Sequence, residues 1–234
     1  MRLLLRHTSS YKYPEPASLG PHLIRLRPAS HVRAKVETYA LRIAQEPDVR
    51  WQQDPAGNHV ARVSFRAGVR VPRFDVEVEM VVDVQPVNPF DFFVDDTAER
   101  LPFAYRDDLA KELAPYLDRD DPAYAIGPRF AALLETLPTA GPTVPALVEI
   151  NRKVHEATRY VIREEAGVWT PERTLEEGRG SCRDSAVLLI AALRSRGFAA
   201  RFASGYLIQL VDEGMIPGEP KGVGRDVLDL HAWA

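Results

Sequence analysis

Gly178-Arg179-Gly180-Ser181-Cys182-Arg183-Asp184-Ser185-Ala186 is the stretch on which the reading of this chain turns. A serine followed three residues later by an aspartate, just ahead of an apolar helical face, is a capping signature. The face follows at Ala186, Leu189, Ile190 and Leu193, and Gly197 stands where a left-handed C-terminal cap belongs. With Ser181 as N-cap, Cys182 falls on the first helical residue. The unpaired N–H groups and the positive end of the helix dipole there favour a thiolate over a thiol. That is the direction of the lowered pKa of nucleophilic cysteines. The same N–H groups can stabilise an oxyanion, and Gly178 and Gly180 leave room for a substrate backbone to approach the sulfur. Position alone leaves a second reading open, a thiol that is only packed and inert.

A nucleophile needs a base. The chain offers His7, His22, His31, His59, His155 and His231. The first four fall in a strand-rich part and read as surface or strand residues, and His155 reads as a structural residue on a helix. His231 opens the apolar-aromatic run His231-Ala232-Trp233, which reads as a strand that can lie beside the cysteine helix. Between helix and histidine, Ala200, Phe202, Ser204, Tyr206, Ile208 and Leu210 alternate as a strand. Asp212 to Asp229, rich in glycine and proline, reads as a surface loop.

Upstream, Ile126, Phe130, Leu133, Leu134 and Leu137 share one helical face, and Leu147, Ile150, Val154 and Ala157 mark another helix with Pro145 in its first turn. Residues 87–124 form a connector, with a short helix through Leu109, Leu113, Tyr116 and Leu117. Its aromatics Phe90, Phe92, Phe93, Phe103 and Tyr105 are expected to pack it onto a core. Residues 1–86 are β-rich. Phe74, Val76, Val78, Met80, Val82 and Val84 alternate with mostly charged residues, as in a half-buried strand. Asp54 to Asn58 carries turn residues and His59 to Phe65 returns as a hairpin strand, with weaker strands at Leu3–Tyr13 and Val36–Ile43. The expected fold is α+β, a β-sandwich-like N-terminal module followed by a helix-led core over residues 125–234.

Composition narrows the classes. The 234 residues carry 30 basic and 33 acidic side chains, a net charge of −3, with 45% hydrophobic and 27% charged residues. That balance is globular and gives no nucleic-acid signature. No apolar run approaches a membrane span, and the start at Met1 to His7 is too short in apolar residues for a signal peptide. One cysteine allows no internal disulfide and no multi-cysteine metal site. A cytoplasmic chain without metal or cofactor is expected.

The run Gly180 to Asp184, the helix to Gly197, the segment Ala200-Arg201-Phe202-Ala203-Ser204-Gly205-Tyr206 and the final His231-Ala232-Trp233 resemble the bacterial transglutaminase-like superfamily. The β-rich start resembles the N-terminal region that often precedes that core. Asn88 to Phe93 and Tyr206 to Leu210 resemble the long multidomain members. The resemblance implies a papain-like core in which Cys182 is the nucleophile and His231 the base of a Cys-His-Asp triad. The aspartate is expected in an Asp-Pro-Thr-like motif beyond the histidine, and the chain ends at Ala234. The resemblance therefore implies a C-terminally incomplete core and an N-terminal piece of a longer member. Asp226 and Asp229 precede His231 and do not match that position.

The implied activity is cysteine-dependent acyl transfer on peptide or amide bonds, most simply hydrolysis by a cysteine protease or amidase acting on a peptide or protein substrate. Tyr160 and Trp169 are candidates for oxyanion or substrate positioning. Ser181, Arg183 and Asp184 are read as structural neighbours of the thiol, and Arg201 as a brace for the adjoining strand. Two alternatives share the fold, a non-catalytic peptide- or protein-binding module and a cross-linking transglutaminase.

Overall fold

A computed structural model describes residues 1–88, 91–211 and 223–234. In chain order its strands are β1 (Arg2–Ser18), β2 (His22–Arg27), β3 (Lys35–Ile43), β4 (Asp48–Gln53), β5 (His59–Ser64), β6 (Arg70–Asp83) and the two-residue β7 (Arg100–Leu101). Helices α1 (Asp107–Leu117) and α2 (Pro128–Glu135) follow, then β8 (Gly141–Pro142), α3 (Thr143–Ala157) and β9 (Arg159–Tyr160). The chain continues through α4 (Pro171–Glu177), β10 (Arg179–Gly180), α5 (Cys182–Ser195), β11 (Ala203–Gln209) and β12 (Val227–Trp233). Contacts group these into two compact units. One holds Met1–Phe90 with Gly205–Asp229, the other Asp91–Ser204 with Leu230–Ala234. β11 and β12 pair with each other.

The first unit contains two three-stranded antiparallel sheets, ordered β1-β6-β3 and β2-β5-β4. β6 is central because its alternation is complete: Phe74, Val76, Val78, Met80 and Val82 are all buried. Ile24, Ile43, Ala61, Val63, Phe74 and Val76 form a core drawn from both sheets, which makes the module a sandwich. A second cluster sets Leu5, Met80 and Val82 against Tyr206, Ile208 and Leu228. Where β3 slips by one residue against β6, the Thr38 hydroxyl accepts the Val81 N–H at 3.2 Å and replaces a ladder bond. The Asp54–Asn58 turn joins β4 to β5, with the Asp54 carboxylate accepting from the backbone N–H groups of Ala56 and Asn58.

The second unit is helical around Phe130, Ile150, Leu188 and Ala192, all fully buried. α5 starts at Cys182, and Gly197 takes the left-handed φ of +84° beyond its last turn. Its last turn carries the buried Arg194. That guanidinium donates to the carbonyls of Ala200 and Asp118 and lies 4.6 Å from the Tyr124 ring centroid.

The connector packs only in part. Phe103 meets Tyr105 and Phe198, whereas Phe93 is fully exposed at 102% and Phe92 half-exposed. Phe90 lies outside the described residues. The expected helical face from Ile126 to Leu137 is trimmed at both ends. Pro128 begins α2, leaving Ile126 exposed, and Leu137 follows the helix, buried. The expected loop to Asp229 is shorter as well. Val227 already begins β12, while residues 212–222 lie outside the described residues. Two strands without a local pattern, β2 and β4, and the short helix α4 complete the architecture. The result is the expected α+β class with a strand-rich start.

Candidate active site

The N-terminus of α5 is built on a buried carboxylate. Ser181 is the N-cap and forms a capping box with Asp184. The Ser181 backbone N–H and hydroxyl donate to Asp184 Oδ2 at 2.8 and 2.7 Å. Arg163 Nε donates to the same oxygen at 3.0 Å, and Arg163 Nη2 to Oδ1 at 2.9 Å. The Trp169 backbone N–H donates to Oδ1 at 2.8 Å. Asp184 has no exposed surface. Burial alone would raise its pKa, but the Arg163 guanidinium and the Trp169 and Ser181 donors outweigh it and hold the carboxyl at about 2. The ion pair is bidentate, the geometry in which arginine and carboxylate match best.

This network fixes the segment before the helix. Arg163 Nη2 also donates to the Gly167 carbonyl at 2.9 Å, and Arg183 Nη2 donates to the carbonyls of Arg163 and Glu165. Residues 163–169 are thus tied to the first turn of α5 by side chains from both directions. Thr170 caps α4, whose C-terminal residue Gly178 adopts a left-handed φ of +60°. β10 then pairs in parallel with β9, Gly180 opposite Tyr160, and delivers the chain to Ser181.

The two glycines serve the fold here. Gly178 supplies the left-handed turn that ends α4. A Cβ on Gly180 would stand 3.0 Å from Asp184 Cβ and 3.2 Å from Thr174 Cγ2. The room that the sequence suggested for a substrate is, at Gly180, filled by the buried aspartate and threonine.

Cys182, half-buried, is the first residue of α5, directly between Ser181 and Arg183. His231 is half-buried on β12 beside the buried Ala232. Both belong to the second unit. Among the described residues no hydrogen bond joins them. Tyr160 on β9 is 57% exposed. Trp169 is half-buried, and its ring carries the Arg163 and Arg173 guanidinium carbons at 4.5 and 4.6 Å from the centroid. Arg201 lies over the Tyr116 ring, 5.9 Å from its centroid. Among the described residues no three His, Cys, Asp or Glu side chains converge as a metal site requires. No helix among them is long and apolar enough to cross a membrane.

Arg163 is the residue that sequence reasoning missed. It lies 21 positions from Asp184, and no local period connects the two. Glu172 was missed for the same reason. Its carboxylate, 42 positions from the nearest partner, accepts the Arg129 and Phe130 N–H groups and caps α2 from outside.

Two family models match this chain. The model of the bacterial transglutaminase-like N-terminal region matches residues 3–83, and that of the transglutaminase-like superfamily matches residues 132–234. No curated protein matches the chain. Among solved structures, a "Putative Cysteine Protease from Cytophaga hutchinsonii" is similar over 99% of this chain and 74% of its own, with a TM-score of 0.55 at 13% identity. That likeness is one of fold. The periplasmic domain of TgpA from Pseudomonas aeruginosa, bound to ethylmercury, aligns over 99% of this chain and 66% of its own, with a TM-score of 0.38 at 17% identity. With its strand-rich start and its cysteine-bearing core both matched, the chain belongs to the transglutaminase-like superfamily.

Proposed function

We propose that this protein is a cysteine-dependent acyl transferase on peptide or amide bonds, acting chiefly as a hydrolase. The observation that carries the reading is Cys182 at the first residue of α5, locked by the Ser181–Asp184 capping box. With the box holding the Ser181 and Asp184 N–H groups, those of Cys182 and Arg183 are left without intrahelical partners, and the dipole stabilises a thiolate. The sulfur attacks the amide carbonyl, and the His231 imidazolium gives its proton to the leaving amine. A C–S bond forms, the C–N bond breaks and a thioester remains. Water then attacks the thioester with His231 as base, regenerating the thiol and releasing the acid. An amine in place of water would give cross-linking. The helix-start N–H groups face the developing oxyanion. The carboxylate that orients His231 is proposed to lie beyond Ala234, as in the family's triad. The substrate is a peptide or protein, and a free thiol nucleophile suits a reducing compartment, the cytoplasm.

The test is the pH dependence of iodoacetamide alkylation at Cys182, the only cysteine in the chain. The reading expects alkylation at neutral pH much faster than that of a free thiol, and its fall toward the free-thiol rate in a His231→Ala protein. An ordinary profile in the parent protein, and in one extended C-terminally through the proposed aspartate, would sink the nucleophile and favour a binding module.

A further inference from the structure

Two arginines lie against the Trp169 ring, and they differ in what else they hold. Arg163 is buried and its nitrogens are committed to Asp184, Glu165 and the Gly167 carbonyl. Arg173 is exposed. Among the described residues its guanidinium has no hydrogen-bond partner and no carboxylate within 4 Å. The acidic groups around it on α4 are engaged elsewhere or stand off. Glu172 caps α2, Glu177 pairs with Arg179 at 3.4 Å, and Glu176 makes no ion pair within 4 Å among the described residues. Arg173 is thus a cation held on an aromatic face with its donors open.

Its neighbours tie it to the residues that flank Cys182. Thr174, the next residue, meets Gly180, two positions before Cys182, and the Trp169 N–H is bonded to Asp184, two positions after it. A guanidinium offers paired donors that match a carboxylate bidentately. Stacking on Trp169 reduces the ordering cost of using them. We infer that Arg173, backed by Trp169, forms a carboxylate-binding subsite beside Cys182, which selects substrates carrying a carboxylate close to the bond attacked. This rests on the reading of Cys182 as nucleophile. The carboxylate can come from an acidic side chain or from a chain terminus.

Two reagents with the same reactive carbon test it, iodoacetate and iodoacetamide, on the full chain at low ionic strength. The ratio of their alkylation rates at Cys182 reads the local preference for a carboxylate. Arg173→Gln is expected to lower that ratio about three- to tenfold, the effect of one partly screened charge at short range. Any effect of the lost cation on the ionisation of Cys182 acts on both rates alike and cancels in the ratio. Arg173→Lys, which keeps the charge and loses the fork, should fall between. Arg201→Gln removes a ring-stacked cation beyond the far end of α5, about 20 Å away by helix rise, and should change nothing. An unchanged ratio in Arg173→Gln, or an equal fall in Arg201→Gln, overturns the subsite.

The outcome also separates the two readings. An ordinary thiol profile with an Arg173-dependent ratio removes the nucleophile and keeps the anion subsite, whereas a perturbed profile with an Arg173-independent ratio does the reverse. Protection from iodoacetamide assigns the source. N-acetylglutamic acid α-amide carries only a side-chain carboxylate and N-acetylalanine only a terminal one. Protection by one, lost in Arg173→Gln, names that source, and protection by neither at millimolar concentration overturns the proposal.

Discussion

Asp184→Asn is the substitution for which the structure predicts most. The carboxylate accepts five hydrogen bonds with no exposed surface, two on Oδ1 and three on Oδ2. An asparagine has one acceptor oxygen, so its amide group must face N–H donors whichever way it turns. With the NH2 toward the Oδ2 side, the Ser181 N–H and Arg163 Nε lose their acceptor, and only the Ser181 hydroxyl can rotate to compensate. With the NH2 on the other side, the Trp169 N–H and Arg163 Nη2 are stranded. Each orphaned buried donor costs about 1–3 kcal/mol, and removing one partner of a buried ion pair costs about 3–5 kcal/mol in total. A loss near 4 kcal/mol compares with a typical domain stability of about 5–15 kcal/mol. For a chain of this size it corresponds to a fall of about 8–16 °C in Tm.

The assay is thermal and urea unfolding followed by circular dichroism, with the loss confined to the unit that holds the network. The same carboxylate sets an acid limb. Its pKa is about 2 in the fold and 3.8 as the ordinary value, so on acidification the unfolded chain takes up the proton first. The stabilisation is complete above about pH 4, declines by about 2 kcal/mol as pH falls through 2, and is missing in Asp184→Asn. A variant within about 1 kcal/mol of the parent at pH 7, with an unaltered acid limb, would refute the account of Asp184 as a charged anchor.

Three further outcomes are expected. Gly180→Ala forces a methyl to within 3.0 Å of Asp184 Cβ and should cost about 1–3 kcal/mol by overpacking, read as a lower urea midpoint with unchanged m. Gly127→Ala puts a Cβ against the Glu172 carboxylate and should push it off the α2 N-terminus, costing about 1 kcal/mol. In a double-mutant cycle that cost should vanish on a Glu172→Ala background, and additive losses would show that the cap is not what the methyl displaces. Arg194→Met should lose about 2–4 kcal/mol by leaving the Ala200 and Asp118 carbonyls without a donor, and stability equal to the parent would mean water replaces the guanidinium there.

Local repetition explains what could be read along the chain. The alternation from Phe74 to Val82 names a half-buried strand because side chains in a strand point alternately to two faces. The α5 period and its caps were legible for the same reason, since Ser181, Asp184 and Gly197 act on backbone within one turn of themselves. β4 carries no such mark: every residue from Asp48 to Gln53 is exposed, so it leaves no apolar period. α4 spans only seven residues, and its signals, Thr170 before Pro171 and Gly178 at the end, were present without enough length to show a face.

By itself the sequence determined the strand-rich start, the cysteine helix with its capping residues, and the motifs that place the chain in its family. All are set by backbone geometry and side chains a few positions apart. Only the tertiary structure decided that Arg163 clamps Asp184, that Glu172 caps α2, that Gly180 makes way for a buried carboxylate, and that Arg173 stands on Trp169 with open donors. These depend on which distant segments meet, and a buried charge selects its partner through space, where desolvation and hydrogen-bond geometry act, whatever the separation along the chain.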